Sequence, residues 1–329
     1  METPQKTQQL PPPPGVINAL KAGLDAISSH LSVLLLPLAL DALLWFGPRL
    51  SVQKIFSTLF EQMLAFSSNS FAQQDLLTIQ KNAMDWLHGY NLLGALRTFP
   101  IGISSLMTSK MPIHNPFGIQ SVIDVNSISN TIGWFFLLTL IGWALGGLYF
   151  NSVSGVIGNR ESTFGSGRAV AQTLLFSTVF TMFLFAVGVP VLLVLLVINL
   201  ISPAILQVSM FLLALISAWI IVPIFFAPHG MYLHGQNAIY SIYTSLRMAR
   251  FTLPTSSMFV LAVFIISQGL NYLWAVPPEE SWMMLIGIAG HAFVTTALLA
   301  ASFIYYRDMN AWLEIVFERL KPGTAAPQT

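Results

Sequence analysis

Five stretches of this chain are long, nearly uncharged and apolar enough to span a bilayer, and a sixth, shorter one encloses a single aspartate, Asp41. A helix needs roughly 20 apolar residues to cross the hydrocarbon core. The predicted spans are about 29–47, 131–156, 170–199, 204–226, 255–276 and 282–306. The runs are continuous, whereas barrel strands alternate, so they predict helices. The fold expected is an all-α, polytopic membrane protein with about six transmembrane helices and an extracytoplasmic helical loop.

Composition agrees. Of 329 residues, 55% are hydrophobic and 8% charged, against about 25% charged in soluble domains. So few charges could hardly cover a water-exposed surface, and lipid is the natural outer solvent. The net charge of +1 and the lack of a basic, aromatic-interleaved soluble patch set nucleic acid aside as a partner. With no cysteine, disulfides, thiolate metal sites and cysteine nucleophiles are excluded. Residues 1–15, with Pro11 to Pro14 in a row, read as a disordered, solvated N-terminus. The basic-then-apolar order of a signal peptide is absent, so the first apolar run is expected to stay as a membrane helix.

Lysine and arginine set the orientation. With the N-terminus inside, the inner segments hold Lys6, Lys21, Arg160, Arg168, Arg247, Arg250, Arg307, Arg319 and Lys321, and the short outer loops 200–203 and 277–281 hold none. The expected location is a bacterial cytoplasmic (inner) membrane, multi-pass, with both termini cytoplasmic. Residues 16–310 form one membrane domain and 311–329 a cytoplasmic tail. The loop 48–130 is too apolar to be a disordered linker. Residues 52–66 and 75–90 read as amphipathic helices, and 91–109 as a more apolar piece in which Arg97 and Pro100 argue against a span. The loop is expected to lie on the outer leaflet or cap the bundle, with a buried segment at 91–109 as the alternative. Residues 16–30, with Val16, Leu20, Leu24 and Ile27 on one stripe, and 235–251 read as interfacial amphipathic helices.

A carboxylate inside a membrane helix is costly and marks a functional hypothesis. Asp41 falls roughly 9 Å below the outer end of the first span and His291 roughly 13 Å down the sixth. Gln268 and Asn271 of the fifth span share that depth. If their helices are neighbours, Asp41, Gln268, Asn271 and His291 make one intramembrane polar cluster. It can relay protons or hold a cation, or it can lock the helices together by hydrogen bonds. Arg247 and Arg250, three apart on 235–251, are candidate lipid-phosphate contacts or plain inside anchors. His229 and His234 are five apart, poor helical spacing for one metal, and no metal or cofactor is expected. Gly142 and Gly146 form a GxxxG pattern that seats another helix of the bundle or a second copy of the chain. Pro37, Pro190 and Pro223 are expected to kink their helices. No GxSxG, phosphate loop, HExxH or dinucleotide fingerprint occurs, so no catalytic residue is assigned.

Residues 238–250 (AIYSIYTSLRMAR) ahead of the fifth span, with 34–50 and 291–308, resemble a group of uncharacterised six-helix bacterial membrane proteins. That group is related to the membrane domain of some glycerophosphodiester phosphodiesterases, with Ala238, Ser245 and Arg247 as the matching positions. The resemblance implies a fold rather than an activity, since no phosphodiesterase catalytic domain accompanies it. Two functions follow from the residues. One is a structural or accessory membrane component that contacts lipid and a membrane-protein partner or a second copy. The other is a small transporter or ion-permeation protein using the Asp/His cluster.

Overall fold

The structure, a computed structural model, describes residues 11–67, 73–158 and 165–320. Residues 1–10, Arg160 and the tail from 321 onward lie outside these. The chain is an all-α polytopic membrane protein. Among the described residues five helices are long and apolar enough to cross a membrane, and six if the bent pair Val16–Ser28 and Leu31–Phe46 is counted as one span.

In chain order the elements are α1 (Val16–Ser28), a 3₁₀ turn (Leu31–Leu34), α2 (Leu35–Phe46), β1 (Arg49–Ser51), α3 (Gln53–Ser67) and α4 (Gln73–Gly89). A second 3₁₀ turn (Leu92–Leu96), α5 (Met107–Lys110), β2 (His114–Asn115), β3 (Gly118–Ile119) and β4 (Val122–Asp124) complete the segment before the next long helix, the outer segment of the sequence reading. The rest is α6 (Ile128–Ile157), α7 (Ser166–Ile201), α8 (Pro203–Phe226), α9 (His229–His234), α10 (Ala238–Trp274) and α11 (Met284–Leu320).

The long helices begin where the sequence supplies caps. Ser127 Oγ accepts from the Asn130 N–H and Asn237 Oδ1 from the Tyr240 N–H. Ser202 caps α8 with Pro203 in the first turn, where no N–H is needed. Between 182 and 221 the large side chains of α7 and α8, among them Phe185, Leu192, Phe211 and Trp219, are exposed. That surface is tolerable only against lipid. At 37 residues, α11 is roughly 55 Å long, well beyond the ~30 Å core, and its charged residues, from Arg307 to Arg319, lie toward its C-terminal end. The C-terminal segment expected to be a tail from 311 is helical through Leu320.

Two further expectations change. The segment 235–251 is not a separate helix. It runs into the fifth span as α10, broken only at Thr252 (φ −123°, ψ 15°), two residues before Pro254, whose ring and missing N–H disrupt the turn. The helix expected at 16–30 is separate from the span expected at 29–47, and the two meet at 92°, an angle not read from the sequence. Helix α1 does not simply float at the interface. It runs antiparallel along α11, with Trp312 Nε1–H donating to Pro11 O at 2.7 Å at one end and Gly23 against Ala297 and Ala301 at the other. The buried face is Ala19, Gly23 and Ile27, while Leu24 is exposed. Small residues face the partner because the backbones touch; Lys21 and Asp25 point away.

A Cβ on Gly23 would stand 2.5 Å from Ala297 O and 2.6 Å from Ala301 N, both backbone atoms that cannot step aside. Gly23→Val is expected to cost about 1–3 kcal/mol through this overlap, read as a lower unfolding temperature in mild detergent. Gly155→Ala, where a Cβ meets nothing within 4 Å, serves as the control and should hold or raise it.

Candidate functional site

The site is assembled around the segment between α2 and α6, expected from the sequence to lie outside the bundle, which instead runs into it. The parallel pair β1–β4 ties its two ends together, Arg49 opposite Val122 and Ser51 opposite Asp124. Gln120 Nε2 donates to Leu44 O and Trp45 O, and Asn115 Nδ2 to Trp45 O, so the last carbonyls of α2 find partners. Asn91 Oδ1 accepts from the N–H groups of Leu50 and Leu93, each at 3.0 Å, and starts the second 3₁₀ turn. From there the chain dives into the bundle.

The glycines of α6 receive it. A Cβ on Gly142 would meet Leu96 O at 2.6 Å, and one on Gly146 would meet Gly102 Cα at 2.8 Å. The GxxxG face therefore seats the irregular segment 96–102, not another long helix or a second copy. Gly147, next door, faces Thr173 of α7. Of the two sequence readings of 91–109, the buried one describes it. Ser104 Oγ lies 2.7 Å from Thr295 Oγ1, and Thr295 is roughly 16 Å along α11 from Met284, about half the thickness of a bilayer core.

Irregular backbone survives at that depth only if its polar groups have partners. Trp143 Nε1–H donates to Phe99 O (3.1 Å), and Thr98 Oγ1 donates to Ile101 O (2.7 Å). Asp41 does the most. Its carboxylate, fully buried, accepts from Ser105 Oγ (2.5 Å), Met107 N (3.0 Å) and Leu106 N (3.2 Å). It thus closes the start of α5 and the end of the inserted segment.

Beside this segment lies a cavity of about 360 Å³. One wall is a stripe of α11, His291, Thr295, Leu298 and Ser302, which spans roughly 16 Å of helix. The facing wall is α10, with Val263, Ser267, Gln268 and Asn271. Arg97, Phe99, Pro100 and Ser104 close one side, and Phe225, Pro228 and His229 another. Arg97 remains accessible and donates from Nη1 to Ser109 Oγ at 3.0 Å, one of its five N–H donors. His291 is 5% exposed and its Nδ1 has no partner among the described residues. His229 Nε2 lies 2.7 Å from Ser302 Oγ, with the ring packed on Phe303 and Phe225.

Three of the four residues of the expected cluster, Gln268, Asn271 and His291, therefore line one cavity. Asp41 does not; it is turned into the inserted segment. The lining also takes in Arg97 and Ser267, which the sequence reading does not mark as site residues, and His229, which it marks only as a poor metal ligand. Arg97 carried the same signal as Asp41, a charge within an apolar stretch, but was weighed only against a span. Arg247 lies over the ring of Phe317 (5.0 Å to its centroid) and Arg250 over Phe251 (5.8 Å), and those two rings are 5.0 Å apart. The four form one ladder near the C-terminal end of α11, with Arg247, Arg250 and Phe251 exposed and Phe317 half-buried. A second hollow, about 640 Å³ between α3, α4 and the start of α6, is walled mostly by apolar side chains such as Phe56, Trp86, Ile132 and Phe135, with Tyr90 and Thr131 as its hydroxyl-bearing residues and no charged side chain.

No protein-family model, curated protein or solved structure matches the chain.

If Asp41 holds the inserted backbone, Asp41→Leu leaves two buried N–H groups and a hydroxyl without their acceptor. The expected loss is about 3 kcal/mol or more, at 1–3 kcal/mol per orphaned group. Asp41→Asn, which keeps one acceptor oxygen, should lose less. Thermal unfolding of the two variants beside wild type checks the order.

Proposed function

We propose that the chain binds and passes a small anionic solute through the membrane by way of the cavity between α10 and α11. The observation that carries this reading is the composition of that cavity. It lies within the bundle, and its lining includes a guanidinium, two imidazoles, two amides and several hydroxyls. Ionisable groups at such depth are costly unless they serve a pathway or a partner. A network that only locked helices together would be filled by its own side chains; this one surrounds space. Arg97 is the single permanently charged side chain on the lining. A planar fork of donors suits a carboxylate or phosphate oxygen pair. Gln268, Asn271 and the hydroxyls add neutral hydrogen bonds that set orientation.

The reading places the protein in a bacterial cytoplasmic membrane with both termini inside, on the lysine and arginine distribution. The ladder of Arg247 and Arg250 would sit at the inner headgroups. Kinship with the membrane domain attached to some phosphodiesterases belongs to the same proposal and rests on 238–250. An accessory, non-transporting role has one observation in its favour. The strongest polar contacts, those of Asp41, hold structure and not solute.

Purified protein in liposomes should give a flux of chloride, acetate or inorganic phosphate above that of empty vesicles. Arg97→Gln should lower it by roughly tenfold or more, the worth of one charge-assisted hydrogen bond, with little change in unfolding temperature. His291→Ala should lower it as well. No flux of any of the three anions, with Arg97→Gln altering stability alone, would return the protein to the accessory reading.

A further inference from the structure

At the outer end of the bundle, away from the cavity, three metal-ligating groups meet from distant parts of the chain. His114 stands on β2, and Glu279 and Glu280 sit in the loop joining α10 to α11. Their donor atoms all lie within 4.8 Å of one another. His114 Nδ1 is 3.5 Å from Glu279 Oε1 and 3.9 Å from Glu280 Oε1.

We infer that His114, Glu279 and Glu280 form a binding site for a borderline divalent cation of the zinc class. Zinc binds imidazole nitrogen and carboxylate oxygen at about 2.0–2.2 Å, so neighbouring tetrahedral ligands stand roughly 3.4 Å apart. The His114–Glu279 pair already has that spacing (3.5 Å); Glu280, exposed at the rim, must close in from 3.9 Å on His114 and from within 4.8 Å on Glu279. Two carboxylates balance the charge of a divalent ion, and a neutral imidazole completes a three-residue set with a fourth position open to water.

The surroundings orient the ligands. Glu279 Oε2 accepts from the Ile113 N–H at 3.2 Å, and Trp45 Nε1–H donates to Glu279 O at 2.9 Å. Oε1 is thereby turned to His114, the kind of outer support that fixes metal ligands. Asn115, the residue after His114, is anchored on Trp45 O, and Gly118 takes φ +117° so that the tight β2–β3 turn can close. Two cations stand near the glutamates: Lys110 is directed at the carbonyls of Ala275 (2.8 Å) and Pro277 (2.5 Å), and Arg49, which also acts electrostatically on Glu279, donates to His88 O (2.6 Å). Burial lowers the pKa of Lys110, and the two glutamates raise it. A bound ion would join the outer segment to the α10–α11 loop, two parts that otherwise meet through hydrogen bonds and the rings of Phe117 and Trp282.

The test uses tag-free full-length protein in detergent, first stripped with a chelator. Zinc chloride should bind at one saturable site by calorimetry and raise the unfolding temperature, while magnesium should do neither. Glu280→Gln and His114→Ala should each weaken zinc binding by roughly tenfold or more. Glu280 is the more exposed of the two ligand positions, and Glu280→Gln keeps the test decisive if His114→Ala misfolds. Absence of a saturable zinc heat would overturn the inference. So would unchanged affinity in Glu280→Gln, which would move the ion elsewhere. Neither result bears on anion flux, which depends on Arg97 and His291.

Discussion

A peptide N–H inside a bilayer has no water to turn to, and this constraint governs how the outer segment can be inserted. Residues 96–107 run through the bundle without regular helix for most of their length. They remain there because Asp41 accepts from two of their N–H groups and a serine hydroxyl. The aspartate is costly to bury alone and is not alone. Its position on α2 depends in turn on Gln120 and Asn115, which cap that helix from the far end of the same outer segment. The segment and the helix hold each other in place. Arg97 reaches the cavity because the backbone around it is fixed in this way.

The cavity follows from two further choices of residue. Glycines at 142 and 146 let the inserted backbone sit directly on α6, which sets how far Arg97 and Ser104 project toward α11. On α11 the cavity face includes His291, Thr295 and Ser302, and the opposite face is small. Ala297 and Ala301 there are pressed against α1. One helix therefore packs tightly on one side and lines a hollow on the other, a division of labour that a uniformly large apolar helix could not sustain.

The long helices were legible because lipid imposes a simple rule on length and polarity. All five were readable from apolar runs, but only three had both ends near those observed; α10 starts 17 residues earlier than the apolar run and α11 ends 14 residues later, because polar helical turns continue each span beyond its apolar run. Depth arithmetic also brought Gln268, Asn271 and His291 together, since residues on adjacent antiparallel spans at one level share a layer. What the sequence hid were contacts between regular and irregular backbone. The pattern Gly142–Gly146 announces a close neighbour but does not say whether it is a helix or a loop. Asp41 is conspicuous in a hydropathy reading, yet whether it faces a cavity or a peptide depends on where 105–107 fold back. His114 and the Glu279–Glu280 pair lie 165 residues apart, and no local pattern links them.

The docking of α1 along α11 says something about how the protein is made. Gly23 leaves the ribosome about 270 residues ahead of the alanines it touches. At ordinary rates of synthesis that interval lasts tens of seconds. Throughout it, α1 has an apolar side with no protein to cover it, and the membrane surface is the place where such a helix can wait. The amphipathic character read from its sequence then suits the nascent chain as much as the finished one. The right-angled bend before α2 is the place where α1 would turn from the bilayer surface onto α11 once α11 has been inserted.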